Sequence, residues 1–406
     1  MPFALALSGI NAANTDLNTT ANNIANVDTV GFKSSRAEFS SLYAQTQQGD
    51  SLTSSGNGVA VSTIAQQFSQ GNINTTSNNL DLALSGNGFF VVSNNGSLAY
   101  TRNGAFQVDQ NGYLVTASGD QVQGFQPLTT GGFNTGGLSA LQLSTAQVAP
   151  AATTTADMTL NLPSNATAPT NAFSPSDSTS YNNTTSLTVY DSLGAAHTAQ
   201  LYFVKGATNA TGSNWSSQLY IDGSAVGTPQ TLTYSSAGAL TTPANGAVNF
   251  GSYTPTTGAS PMNIAFNFGT STQYGSSFAV NAITQNGYTT GNLTGINISA
   301  SGVVQANFTN GQSKTLGEVA LANFANPQGL QQTGNTQWVQ TFASGAAVNG
   351  VAGTSGFGTI QSGALEQSNV NLTAELVNMI TASRNFQANS QMINTANQDT
   401  QAILRI

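Results

Sequence analysis

The stretch that decides the fold is the last one, Leu365 to Ile406: LEQSNVNLTAELVNMITASRNFQANSQMINTANQDTQAILRI. Leu365, Leu372, Met379, Phe386 and Ile393 recur every seven positions, and Glu375, Ala382, Asn389, Ala396 and Ile403 follow on a second seven-residue series. Seven-residue spacing places each series on one helix face. No Pro or Gly follows Gly363, so nothing local interrupts a helix. Asn371 is a suitable N-cap, and Glu375 falls in the first turn, where the helix dipole favours an anion. A helix from about Asn371 to Arg405 would be roughly 50 Å long at 1.5 Å per residue. A stripe of that length needs a partner.

A partner stands at the opposite end of the chain. Phe3, Ile10, Leu17 and Ile24 also recur every seven, and Leu7, Ala6, Ala13 and Ala21 widen their stripe. Leu376 adds to the apolar surface of the C-terminal helix. Two heptad helices at the two termini predict a coiled-coil pair. Their outer faces are poor in charge as well; Asp16 is the only charged side chain before Asp28. Helices with so little charge on any face bury more than one side, which points to packing against further copies of the chain.

Composition narrows the function classes. Charged residues are 5% of the 406, against about 25% in an ordinary soluble protein, and Gly, Asn, Ser, Thr and Gln take their place. Hydrophobic residues at 39% still suffice for packed cores. The net charge is −8 with seven Lys and Arg, so no basic patch exists for nucleic acid or anionic lipid. Without Cys there is no disulfide or thiol chemistry. No apolar run is long enough for a membrane span, and Lys33 is the first basic residue, so the N-terminus is no Sec-type signal. Export, if it occurs, takes another route.

Between the helices the period changes to two. Leu80, Leu82 and Leu84 alternate with Asp81 and Ala83; the Gly86-Asn87-Gly88 turn, and the hairpin signals Asn95-Gly96 and Asn111-Gly112, separate further strands. From about residue 145 a Pro- and Thr-rich entry leads into a second set of strands carrying Trp215, Leu219, Ile221, Tyr234, Phe266 and Phe268, read as a sandwich or barrel. The first texture returns with Gln285-Asn286-Gly287, Asn310-Gly311 and Trp338. The predicted class is therefore mainly β with a terminal α-helical coiled-coil layer. Its parts are helices in 1–28 and 365–406, connectors in 29–69 and 345–364, a first β-domain in 70–144 and 285–344, and an inserted outer β-domain in 145–284. Within the connectors, Tyr43 reads as an anchor, 45–58 as an exposed loop, and the glycines Gly345, Gly350, Gly353, Gly356 and Gly358 as a flexible exit.

The catalytic inventory is thin. His197 is the only histidine, and no two carboxylates stand three or four apart. Gly86-Asn87-Gly88 lacks the third glycine of a dinucleotide loop, since Val91 stands in its place. The sequence predicts no enzyme, metal or cofactor.

Several segments resemble one family. Leu7-Ser8-Gly9-Ile10-Asn11-Ala12-Ala13, Asn22-Asn23-Ile24-Ala25-Asn26 and Val30-Gly31-Phe32-Lys33 are similar to the N-terminal signature of bacterial flagellar rod and hook axial proteins. Asn79 to Leu84, Gly88-Phe89-Phe90 and Thr101-Arg102-Asn103-Gly104 resemble their first β-domain. Gly363 to Val370 and Glu375 to Ile380 resemble their C-terminal signature, and Val319 to Asn326 resembles hook proteins in particular. The resemblance implies a flagellar, extracellular subunit exported by the flagellar type III apparatus, whose helices form the inner wall of a tubular homopolymer with the β-domains outward. It further implies contacts with the distal rod protein, the hook cap protein and the hook-filament junction protein, and torque transmission as a universal joint. A distal rod subunit shares the terminal motifs but usually lacks a large insert; a β-rich surface adhesin shares the composition but needs no matched heptads.

Overall fold

The computed structural model describes residues 2–42, 56–143, 147–209 and 212–404. Tyr43 and most of the 45–58 loop lie outside them. The chain is mainly β, with one helix at each end: α1 (Pro2–Ala25) and α2 (Leu372–Leu404). Asn371 caps α2, its Oδ1 accepting the Ala374 N–H at 3.1 Å. The Asn371 carbonyl accepts from Glu375 N at 3.0 Å. Among the described residues no helix is long and apolar enough to cross a membrane.

Two compact units divide the chain: Met1–Thr145, Gly295–Asn307 and Ser313–Ile406 form the first, Ala146–Thr294 and Phe308–Gln312 the second. In the first unit the strand Ser313–Asn323 is the spine of an antiparallel sheet. It pairs with Val303–Phe308, Gln121–Phe125, Phe89–Asn94 and Val348–Val351. Phe89, Tyr100, Phe324 and Trp338 close its core with edge-to-face ring contacts, and Phe125 packs in the same cluster; Tyr100 and Phe324 have centroids 4.7 Å apart. The Asn95-Gly96 turn has positive φ at both residues, 48° and 91°, as a two-residue hairpin requires.

Two expected connectors are structured. Residues after α1 form a hairpin, β1 (Ser35–Ser41) and β2 (Val59–Gln66), packed on α1. The glycine-rich exit is not a flexible tether: Val348–Val351 joins the main sheet, and Thr359–Ser362 pairs with Leu82–Ser85. Two of its glycines, Gly350 and Gly358, serve close packing. A Cβ on Gly350 would lie 2.4 Å from the Phe357 ring, and one on Gly358 would lie 2.2 Å from the Ser85 carbonyl. Leu365 also departs from its expected helix. It sits in the strand Ala364–Glu366, paired with Ile73–Thr75, because backbone pairing at this point overrides the heptad count.

The second unit is two five-stranded sheets around one core. One runs in simple antiparallel order from Asn183–Tyr190 to Leu240–Thr242; the other centres on Thr155–Pro163. Trp215, Tyr234, Phe203, Phe266 and Phe268 fill the space between them. His197 is buried in this unit between two carboxylates, with Nδ1 2.6 Å from Asp222 Oδ2 and Nε2 3.2 Å from Asp191 Oδ2. Asp191 also accepts from Thr257 Oγ1 at 2.6 Å and from the backbone N–H groups of Leu193 and Ala195. Burial alone would lower the imidazole pKa, but the hydrogen bonds and charges of the two aspartates outweigh it and raise it. Burial would raise Asp191, but its donors hold it down at about 2. The histidine contribution is complete below its unfolded pKa of ~6.5 and is lost as pH rises through the raised folded value; the Asp191 contribution is present above ~4 and is lost as pH falls towards 2. Thermal denaturation against pH is therefore expected to show the full chain losing stability more steeply than His197→Gln as pH rises above about 6.5. Parallel curves would remove the histidine from the balance.

Candidate self-assembly site at the chain ends

Three segments that the sequence places far apart meet around one carboxylate. Glu366 has no solvent exposure. Its Oε1 accepts from Lys33 Nζ at 2.6 Å and from the Gly71 backbone N–H at 2.9 Å, and its Oε2 accepts from Arg102 Nη1 at 3.1 Å. Its own carbonyl accepts the Gly31 N–H at 2.8 Å. Lys33 Nζ also donates to the Ser69 carbonyl, and Arg102 Nη2 to the Gly86 carbonyl, both at 2.8 Å. Burial pulls the Lys33 pKa down; Glu366 opposes that pull and Arg102 adds to it. Gly31 is required here: its φ is +69°, and a Cβ would lie 2.5 Å from the Asn103 nitrogen.

Two asparagines extend the clasp to the helices. Asn369 Oδ1 accepts the Ser34 N–H at 2.8 Å, and its Nδ2 donates to the Gln67 carbonyl at 2.7 Å. Asn23 Nδ2 donates to the Ser35 carbonyl at 2.7 Å and to Glu375 Oε1 at 3.2 Å, while its Oδ1 accepts the Ser35 N–H at 2.9 Å. In the remaining signature positions, Asn26 Nδ2 donates to the Asn22 carbonyl at 2.9 Å, closing the end of α1 through Ile24 and Ala25. Phe32 is buried beside Lys33.

From this junction α1 and α2 run antiparallel and packed together, with Asn23 beside Glu375 and Gly9 beside Asn389. On α2 the half-buried or buried positions include Glu375, Met379, Ala382, Phe386, Asn389, Ile393 and Ala396, alternating at four and three. On α1 the most buried positions on the corresponding stripe are small or polar: Ala6, Ala13, Thr20 and Asn23. Ile10, Leu17 and Ile24 lie beside them. Gly9 allows close approach, since a Cβ there would lie 2.5 Å from the Asn389 Oδ1. Phe3 (50%) and Leu7 (46%) of α1, and Leu372, Leu376 (45%), Val377 and Ile380 of α2, are exposed. The Ile403 side chain lies outside the described residues.

Among the described residues no three His, Cys, Asp or Glu side chains gather to hold a metal. The site is an apolar helix pair held on a buried ionic clasp.

Comparison with known proteins gives the family. Four domain families match: "Flagella basal body rod protein" over residues 4–33, "Flagellar hook protein FlgE/F/G D1 domain" over 83–189, "Flagellar basal body protein FlaE D2 domain" over 161–288, and "Flagellar basal body rod FlgEFG protein C-terminal" over 361–406. The flagellar hook protein FlgE of Escherichia coli K12 is 40% identical over 98% of each chain. FlgE of Brucella suis is 34% identical over 97% of this chain and 95% of that one, and FlgE of Borreliella burgdorferi is 31% identical over 98% of each. The solved structure of Helicobacter pylori FlgE2 superposes with a TM-score of 0.55 at 15% identity, covering 72% of this chain and 100% of that one, a likeness of fold. The chain belongs to the flagellar hook protein family, FlgE. It is a non-enzymatic structural subunit of the flagellar hook, and a hook is a homopolymer.

Removing one partner from a buried ion cluster costs about 3–5 kcal/mol, whereas an exposed pair is worth ~0–1 kcal/mol. Glu366→Gln, which strands two buried cations, is expected to destabilise the folded chain by the larger amount in urea denaturation. Arg36→Ala, which removes the exposed Arg36–Glu38 pair, stays within the smaller one. Equal effects would deny the clasp its structural role.

Proposed function

We propose that the terminal helices build the inner layer of the hook tube by packing against the helices of neighbouring copies. The observation that carries this reading is the apolar surface left over once α1 and α2 have packed together: Phe3, Leu7, Leu372, Leu376 and Ile380. The two helices carry few charges between them: Asp16 on α1, and Glu375, Arg384 and Asp399 on α2. An apolar surface on helices so poor in charge favours association at about 25 cal/mol per Å² of apolar area covered. Phe386, Met379 and Ile393 hold the pair together inside each copy, and the seams between copies use the exposed set.

The tube so formed joins rod to filament and carries motor torque while bending, as a universal joint. Bending requires outer contacts that exchange as rows shorten and lengthen. Surfaces of Asn, Ser, Thr and Gln exchange hydrogen bonds with water at little net cost, where fixed ion pairs would resist. The distal rod protein, the hook cap protein and the hook-filament junction protein are the neighbours at the ends and tip. Export proceeds through the flagellar type III apparatus, for which a Cys-free chain is suited to travel unfolded. Support for these finer points is the family likeness.

Leu376→Asp tests the inner-layer reading. Leu376 is exposed in the single chain, so the variant is expected to keep its thermal midpoint and β-rich circular dichroism. Electron microscopy and sedimentation are expected to find it unpolymerised under conditions where the unaltered chain forms tubes. Normal tubes from Leu376→Asp would contradict the assignment.

A further inference from the structure

Outside the helices, the most exposed large hydrophobic side chain among the described residues is Phe342, with a relative exposure of 104%. Its turn is built to keep it there. Thr341 Oγ1 donates to the Gly329 carbonyl at 2.5 Å and accepts from the N–H groups of Ala343 and Ser344. The Ser344 hydroxyl, fully buried, accepts the Thr341 N–H at 2.9 Å and donates to the Thr341 carbonyl at 2.9 Å. From the other side Asn326 Nδ2 donates to the Ala343 carbonyl at 3.0 Å. A Cβ on Gly329 would lie 2.4 Å from the Ala343 carbonyl carbon, so the backbones of the two loops are in contact. These bonds fix the backbone on both sides of Phe342, and its ring lies in water.

A phenyl ring held in water by a rigid turn is a cost to the single chain that burial in a partner would reverse. The surroundings limit the partner's chemistry. From Val319 to Leu365 the chain has no Asp, Glu, Lys or Arg, and Val348 on the same segment is also largely exposed. A neutral, apolar knob has nothing with which to hold a phosphate, a charged lipid or a basic peptide. It fits an uncharged surface, and this chain, at 5% charged residues, supplies one in every neighbouring copy.

We propose that Phe342 is an anchor between copies in the first unit: in the assembled tube its ring inserts into a neighbouring copy of the chain. The contact is heterologous, the knob of one copy meeting a different surface of the next, as an open helical polymer requires. The proposal rests on the tubular homopolymer described above and assigns it a contact separate from the helices.

The absence of cysteine makes the test direct. Phe342→Cys is the only thiol in its chain, and its alkylation by a maleimide is followed in monomers and in sedimented tubes, co-assembled with excess unaltered chain so that tubes form in any case. The expected result is a fall in alkylation rate of about tenfold or more on assembly. In parallel, Phe342→Ser is expected to raise the critical concentration for assembly about tenfold or more with no change in thermal midpoint. Alkylation at the monomer rate within tubes, or assembly of Phe342→Ser at the unaltered critical concentration, overturns the proposal while leaving the tube itself established. If the unaltered chain forms no tubes, the underlying reading fails instead.

Discussion

A carboxylate without solvent is the constraint on which the first unit depends. Glu366 would be too costly to bury alone, and it is buried only because Lys33, the Gly71 N–H and Arg102 surround it. Those partners lie 333, 295 and 264 residues away in sequence, respectively. Satisfying one charge therefore brings the start of the chain, the early strands and the C-terminal segment to one place. The cluster carries two cations for one anion, so loss of the anion is more damaging than loss of either cation. Once it forms, α1 enters the junction and α2 leaves it alongside α1, and Asn23 and Asn369 fix the arrangement by hydrogen bonds to backbone and to Glu375.

The helix pair then divides its apolar residues between two tasks. Small side chains, Ala6, Gly9 and Ala13, let α1 approach α2 closely, where Met379, Phe386 and Ile393 supply the bulk. This leaves the large residues of α1, Phe3 and Leu7, facing away. A monomeric protein would bury them. On the inner-layer reading proposed above they meet neighbouring copies, and the low charge of both helices leaves few desolvation penalties when those copies arrive. The same economy of charge extends over the segment from Val319 to Leu365, where contacts between copies can form and exchange without breaking ion pairs.

Much of this is legible in the sequence, for local reasons. The α2 stripe follows from heptad spacing, and its buried positions are those of the two series that contain Glu375 and Met379. The hairpins follow from Asn-Gly pairs whose glycines, Gly96, Gly112 and Gly311, take the positive φ that few other residues tolerate. What is not legible is non-local. On α1 the spacing marks the stripe, but within it the small and polar Ala6, Ala13 and Thr20 are more deeply buried than Ile10, Leu17 and Ile24, and Phe3 and Leu7 are exposed, a division that periodicity cannot give. Leu365 keeps heptad register yet lies in a strand, since pairing with Ile73–Thr75 is invisible from one segment. Gly350 and Gly358 look like flexibility, but in the fold they are points of close contact. The clasp itself escapes a reading of the sequence, although a signal exists: in a chain with 22 charged residues (7 basic plus 15 acidic), Lys33, Arg102 and Glu366 each fall inside a separate signature segment.

The two ends of one chain meet, and we propose that the pair so formed is the unit that polymerises. Gly9→Cys/Asn389→Cys tests this most directly, because these positions face each other across the helix pair and the chain has no other cysteine. The double variant is oxidised in assembled tubes and run on a non-reducing gel. The expected result is one fast-migrating, monomer-sized band that returns to normal mobility on reduction. A ladder of disulfide-linked multimers, or free thiols throughout, would contradict it.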